Sequence, residues 1–315
     1  MSRDAKIVLF SVSILLMAGI VMVYSASAVY AYGRYGESMF FVKRHLTYLV
    51  VGLITAVLFM ALPRDAIKGN SRRFMLLSIV LLIAVLIPGV GSEAGGARRW
   101  IRFFGAGFQP SEIAKLALVI YLADLVSRKR FLIQDLKHGF LPPLSVIGIT
   151  GGLILMEPDM GTAVSVLFVG MVMLFAAGAR LRHLTAIMAV ALPVLFLAVI
   201  SAPYRIKRIL TFLDPLSDAR GAGYQLVQSF IALGSGGFFG VGLGESRQKL
   251  FYLPESHTDF IFSIIGEELG FLGAASVLAL FAVLICFALR ISFRLEDRFA
   301  SYAVLGISVM IAFEV

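Results

Sequence analysis

Nine apolar stretches, each close to the roughly 17–25 residues that a helix needs to cross a bilayer, dominate this chain. They fall at 7–29, 45–62, 73–90, 111–126, 139–156, 160–178, 184–202, 259–289 and 299–315. In hydrocarbon every backbone N–H and C=O must be paired, and a helix does this within its own segment. The expected fold is therefore an all-α polytopic membrane protein with about nine transmembrane helices. Residues 1–315 form a single transmembrane domain, and a long external loop, 203–258, joins helices seven and eight. The composition agrees: 59% of residues are hydrophobic and 15% charged, against about 25% charged in a typical soluble domain. The stretch 259–289 exceeds one span, which implies tilt or a projecting end. The run Ile7–Tyr30 contains Ala26-Ser27-Ala28, similar to a signal-peptidase site. Its apolar core is longer than the roughly 7–15 residues of a signal peptide, so it reads as a retained first helix.

Charge sets the orientation. With the N-terminus cytoplasmic, inside segments hold Arg64, Lys68, Arg72 and Arg73, then Arg128, Lys129, Arg130 and Lys137. This is the positive-inside pattern, and it accounts for the net charge of +9 without a nucleic-acid partner. Two groups break it: Arg98, Arg99 and Arg102 in the third connection, and Arg205, Lys207, Arg208, Arg220, Arg247 and Lys249 in the long loop. Cations kept outside read either as a site for an anionic ligand or as contacts with anionic lipid headgroups. Cys286 is the single cysteine, so no intrachain disulfide forms. The chain shows no inverted repeat, which weakens a secondary-transporter reading.

Ionisable groups in a membrane protein are functional candidates by default. Asp259 opens the eighth apolar stretch, and Ser256-x-x-Asp259 has capping-box spacing. It is either a helix cap or a general base. Glu267 and Glu268 lie about 12–14 Å further along the helix and read as structural partners of a buried Lys or Arg. Glu112 and Lys115 are i,i+3 neighbours in the favourable order; Lys115 would stabilise phosphate charge, with Glu112 holding it in place. Glu157 and Asp159 flank a tight turn and are either solvated or ligands of a divalent cation, magnesium or manganese, that bridges phosphate oxygens. The glycine run 234–244 lacks the GK[ST] ending of a P-loop and reads as a mobile or re-entrant loop. The four histidines show no ligand spacing, so His257 alone is no metal site.

Taken together, these motifs resemble the shape, elongation, division and sporulation glycosyltransferases, the family of FtsW, RodA and SpoVE. The matching pieces are YSAS at Tyr24–Ser27, GARRWI at Gly96–Ile101, FQPSEIAKL at Phe108–Leu116 and EPDMGTA at Glu157–Ala163. They continue with the segments Tyr204–Ser229 and Gly242–Gly270. The wording QKLFYLPE is more similar to the division and sporulation branch than to RodA. The resemblance implies polymerisation of lipid II into β-1,4 glycan at the outer face of the bacterial cytoplasmic membrane, at the division site. It implies Asp259 as catalytic residue, and a substrate site drawn from Arg98, Arg99, Trp100, Gln109, Ser111, Glu112, Lys115, Arg205, Arg208, Gln248, Lys249 and His257. A class B penicillin-binding protein and other division proteins are the implied partners. Family members usually have ten helices and a C-terminal GGSS-type element; this chain stops at Val315, at the ninth. The competing readings are a RodA-type elongation polymerase, a lipid II flippase, which needs a charged path to the inner leaflet, and a scaffold, which would tolerate Asp259→Asn. The main charge near the inner ends is Asp124.

Overall fold

The computed structural model describes residues 2–94, 97–103, 106–129 and 132–315; Gly96, which opens the GARRWI motif, and Arg130 lie outside them. Among the described residues each expected span falls on a helix. These are α1 (Arg3–Tyr35), α2 (Phe40–Ala61), α3 (Arg64–Leu86), α4 (Pro110–Lys129), α5 (Leu141–Met156), α6 (Met160–Ala176), α7 (Leu181–Ile200), α10 (Ile261–Arg294) and α11 (Arg298–Glu314). Six of them, α5 being counted with the π-helical turn Leu136–Phe140 that leads into it, are long and apolar enough to cross a membrane. The long loop is not bare: it contains α8 (Pro203–Leu213) and α9 (Tyr224–Ser235).

The chain divides into two compact units. The first comprises residues up to Ala5, Ala61–Ala189 and Ile285–Val315. Its core joins α3, α4, α5, α6 and α11 around Leu118, Leu122, Ile147, Ile154 and Met173, all fully buried. Lipid supplies no hydrophobic drive between helices, so close approach through small residues takes its place. A Cβ on Gly170 of α6 would lie 2.6 Å from Ile147 of α5. The third connection adds an element that a helix-only reading lacks: an antiparallel meander of β1 (Gly91–Ala94), β2 (Ala97–Phe103) and β3 (Ala106–Phe108). Ser92 pairs with Trp100 and Glu93 with Arg98, which leaves Arg99 as the extra residue of a β-bulge.

The second unit comprises Lys6–Met60 and Val190–Leu284, with a core of Met22, Ala26, Leu253, Ile264 and Ile265. Here the eighth stretch departs from a single tilted helix. Gly270, at φ 67° and ψ −167°, breaks α10 into two segments. The break strands carbonyls on one side and N–H groups on the other, and both sets must be paired. The glycine loop that follows α9 does this. Val241 and Gly242 donate their N–H groups to the carbonyls of Glu267 and Glu268, while the N–H groups of Phe271 and Leu272 donate to Gly237 and Phe238. A Cβ on Gly240 would lie 2.1 Å from the Glu268 carbonyl, so only glycine admits this approach. The loop is thus fixed to the broken helix at both edges rather than mobile.

Candidate functional site

In the second unit, the acids just before the break hold the loop that leads to Asp259. Glu268 is 1% exposed and accepts from Lys249 Nζ at 2.7 Å and from Ser25 Oγ at 2.7 Å. Lys249 Nζ also donates to the Gly244 carbonyl at 2.6 Å and lies 3.2 Å from Ser25 Oγ. Glu267 accepts from Ser246 Oγ and from the Arg247 N–H, the latter at 2.9 Å. Lys249, expected to bind substrate, is buried, and Glu268, Gly244 and Ser25 surround its ammonium. Ser25 explains the YSAS motif on α1, to which sequence reasoning assigned no contact.

Asp259 sits at the end of this loop. Because α10 begins at Ile261, the Ser256-x-x-Asp259 box does not form, and capping is not its role. Its side chain is exposed and makes no hydrogen bond or ion pair among the described residues. His257, two residues earlier, is half-buried, with its ring centroid 4.3 Å from that of Phe41 and 5.4 Å from that of Tyr30. Burial lowers its affinity for a proton, outweighing Glu255 and Asp259. It is thus a neutral anchor for the Asp259 loop, held by rings that no sequence signal linked to it. Gln248 has a buried side-chain oxygen without a partner among the described residues. Arg205 donates to Tyr204 Oη at 3.0 Å and to the Ala198 carbonyl, and Arg208 lines a cavity beside Lys207.

The first unit assembles the other candidates around a cavity of about 410 Å³. It is lined by Arg99, Gln109, Glu112, Lys115, Asp159, Thr162, Ser165 and Glu314, among others. Lys115 Nζ lies 2.9 Å from Glu112 and also pairs with Glu314, a residue 199 positions away that sequence spacing had no means to find. Asp159 accepts from Gln109 Nε2 at 3.0 Å and from Thr162 Oγ1 at 2.9 Å, and the bulged Arg99 lies 3.6 Å from it. Ser111 is fully buried and accepts from Gln109 Nε2, which holds that side chain beside Asp159. Arg98 pairs with Glu93 at 2.7 Å on an exposed edge, where Trp100 is also exposed. The two arginines are adjacent but differently employed.

Among the described residues several buried polar atoms have no partner: Arg99 Nε, Ser165 Oγ and both carboxyl oxygens of Glu157. Glu157 is fully buried in the α5–α6 connection, and desolvation, reinforced by Asp159, pushes its carboxyl up to about 8. As cation ligands Glu157 and Asp159 are an uneven pair, one unengaged and the other already bonded to Gln109 and Thr162. No group of three or more His, Cys, Asp or Glu suited to a metal occurs among the described residues. Together they would offer carboxylate oxygens to a divalent cation, Glu157 on loss of its proton, and such a cation would offset phosphate charge.

Residues 6–315 match the model of the FtsW/RodA/SpoVE family, described as cell cycle protein. The chain is 44% identical over 308 residues to a probable peptidoglycan glycosyltransferase FtsW of Trichlorobacter lovleyi, covering 98% of this chain and 81% of that one. It is 42% identical over 314 residues to stage V sporulation protein E of Bacillus subtilis, covering 100% and 86%. Its fold matches a chain of a peptidoglycan synthase complex with a TM-score of 0.77 at 29% identity, covering 98% and 84%. It also matches the rod shape determining protein RodA of Thermus thermophilus, with 0.69 at 26% and coverage of 98% and 81%. The chain belongs to the FtsW/RodA/SpoVE family, on its FtsW and SpoVE side.

Proposed function

We propose that this multi-pass membrane protein is a peptidoglycan glycosyltransferase that polymerises lipid II into β-1,4 glycan strands at the outer face of the bacterial cytoplasmic membrane during division. Curated relatives named as such glycosyltransferases align along nearly the whole chain. The structural observation that carries the reading is Asp259: an exposed carboxylate without a partner among the described residues, on a loop held by the buried Lys249–Glu268 ion pair and by hydrogen bonds to Glu267.

The donor sugar leaves with a diphosphate, so the reaction needs a base for the acceptor hydroxyl and positive charge for the leaving group. Asp259 takes the proton, a contribution of about 10²–10⁴-fold. Attack opposite the α-linked diphosphate inverts the anomeric centre, so no covalent sugar-enzyme intermediate is required. In the first unit Arg99 and Lys115, the latter held by Glu112 and Glu314, line the cavity and would face the leaving diphosphate. Glu157 and Asp159 would hold magnesium or manganese, which when bound offsets phosphate charge. A class B penicillin-binding protein is the proposed partner, with other division proteins; the match to a chain of a peptidoglycan synthase complex supports it.

A flippase reading draws on a second cavity, also about 410 Å³, lined by Lys68, Arg72, Asp124 and Arg128 near the other end of α4. Between it and Lys115 the fully buried Leu118 and Leu122 interrupt any charged path. The test is glycan synthesis from labelled lipid II, with a partner disabled as a cross-linker, comparing the unmodified chain with Asp259→Asn at equal folded amount and equal partner binding. Loss of about 10²-fold or more in the variant supports the reading, and equal polymer from both overturns Asp259 as base. No polymer from the unmodified chain, with lipid II translocation in vesicles, replaces the polymerase with a flippase.

A further inference from the structure

The helix α8 presents an apolar stripe to its surroundings rather than to a protein core. On a 100° wheel Ile206, Ile209, Leu210 and Leu213 share one face, and they are 37%, 45%, 60% and 73% exposed. The opposite face carries the cations, and no residue of the helix is buried. Lys207, Arg208 and Thr211 line a cavity of about 340 Å³ with Ala222 and Leu226 of α9, and Lys207 lies 3.7 Å from Asp218. In water such a helix gains by rotating its apolar stripe inward. Four apolar side chains held together on an outward stripe call for an apolar neighbour outside the chain.

Position and charge identify that neighbour. The membrane-spanning α7 ends at Ile200, and α8 begins at Pro203, with only Ser201 and Ala202 between them. Arg205 donates back to the Ala198 carbonyl near the end of α7, so the start of α8 is held where a span leaves the bilayer. The helix carries Arg205, Lys207 and Arg208 and no acid. An apolar stripe flanked by cations is the composition of a helix that lies in the plane of an anionic membrane surface.

We propose that α8 is an interfacial membrane helix. It seats Ile206, Ile209, Leu210 and Leu213 among the acyl chains of the leaflet where α7 ends, with its cations at the phosphates of anionic phospholipids. The seat tethers the segment Asp214–Gly223 to the bilayer surface and gives the outward-facing arginines of the long loop a role in lipid contact.

The test uses the full chain with Cys286→Ser, reconstituted in liposomes containing phosphatidylglycerol and lipids brominated on the acyl chains. Single cysteines replace Ile209, Leu210, Arg208 or Thr211 in turn, each labelled with bimane. The expected result is quenching at Ile209→Cys and Leu210→Cys about twofold or more above that at Arg208→Cys and Thr211→Cys. Replacing phosphatidylglycerol with phosphatidylcholine lowers quenching at Leu210→Cys, and Lys207→Gln reduces that dependence. Equal quenching at all four positions, or the reverse order, overturns the seating and points to water or a protein partner over the apolar face. Quenching at Leu210→Cys that ignores phosphatidylglycerol overturns the anionic preference. Two positions on each face keep the comparison intact if one variant does not fold. Glycan synthesis in the same liposomes is read separately: its absence counts against the polymerase and leaves the lipid contact standing.

Discussion

Two groups of buried charge, one in each unit, use the same residue types to different ends. Around Glu267, Glu268 and Lys249 the strong donors and acceptors are engaged: hydroxyls, a backbone N–H and a carbonyl close the network. Around Lys115 and Asp159 the network is open: Arg99 and Ser165, which line a cavity, and the buried Glu157 hold atoms without a partner among the described residues. Burying a polar group without a partner costs stability. The closed cluster therefore repays its burial within the fold, whereas the open one has its remaining partners still to come, as a ligand site does. What separates structure from function here is completeness of bonding rather than kind of residue.

The sharpest way to break this comparison is to open the closed cluster. Lys249→Ala leaves Glu268 buried beside Ser25 alone, and removal of one partner of a buried pair costs about 3–5 kcal/mol. The expected outcome is loss of monodisperse protein in detergent or a large fall in thermal midpoint. Replacing Lys249 and Glu268 together with apolar residues of similar size recovers much of it. If Lys249→Ala folds normally but fails only in glycan synthesis, Lys249 is a ligand group and the closed cluster is misread.

Opening the other cluster is expected to act on catalysis instead. Arg99→Gln leaves Asp159 its bonds from Gln109 and Thr162, so folding is maintained. Loss of one preorganised positive donor lowers glycan synthesis by about 10²–10³-fold. Its neighbour is the control. Arg98 forms an exposed pair with Glu93, a class of contact worth about 0–1 kcal/mol, and Arg98→Gln should change little. Equal effects from the two arginines, measured by initial rate at matched folded amount, would remove the distinction drawn from the bulge.

Much of the fold was legible because bilayer crossing demands length and apolarity, both visible in one dimension. Each expected span met a helix, and the family motifs marked the polar segments. What stayed hidden depends on three-dimensional pairing. Gly270 reads as an ordinary residue in a long apolar run until the loop at Gly237–Gly242 is seen to pair the ends of the break. The bulge at Arg99 depends on strand register, and the Glu314 contact with Lys115 on helix packing. Charge on the outer side marked both Arg99 and Lys249 as candidates, yet the first lines a cavity and the second is buried against Glu268, because topology says where a cation lies but not what neutralises it. Capping-box spacing at Asp259 failed for a related reason, since the motif has meaning only where the helix starts.

The smallest expected effect probes how firmly the Asp259 loop is held. Burial between Tyr30 and Phe41 favours neutral His257, so the unfolded chain takes up the proton at higher pH than the folded one. Stability linked to this group is complete above the ordinary histidine range, near 6.5, and declines as pH falls from there towards the lower folded value. His257→Phe keeps a ring in the same cage and removes the titration. Unfolding midpoints of the two chains should therefore converge at alkaline pH and separate below about pH 6, with the unmodified chain the less stable there. If the ring only anchors the loop, glycan synthesis by His257→Phe stays near that of the unmodified chain at about pH 7.5, while His257→Ala, which empties the cage, loses rate. A phenylalanine variant as inactive as the alanine one would make the imidazole itself a contact of the substrate, and the open cluster would then have a counterpart in the second unit.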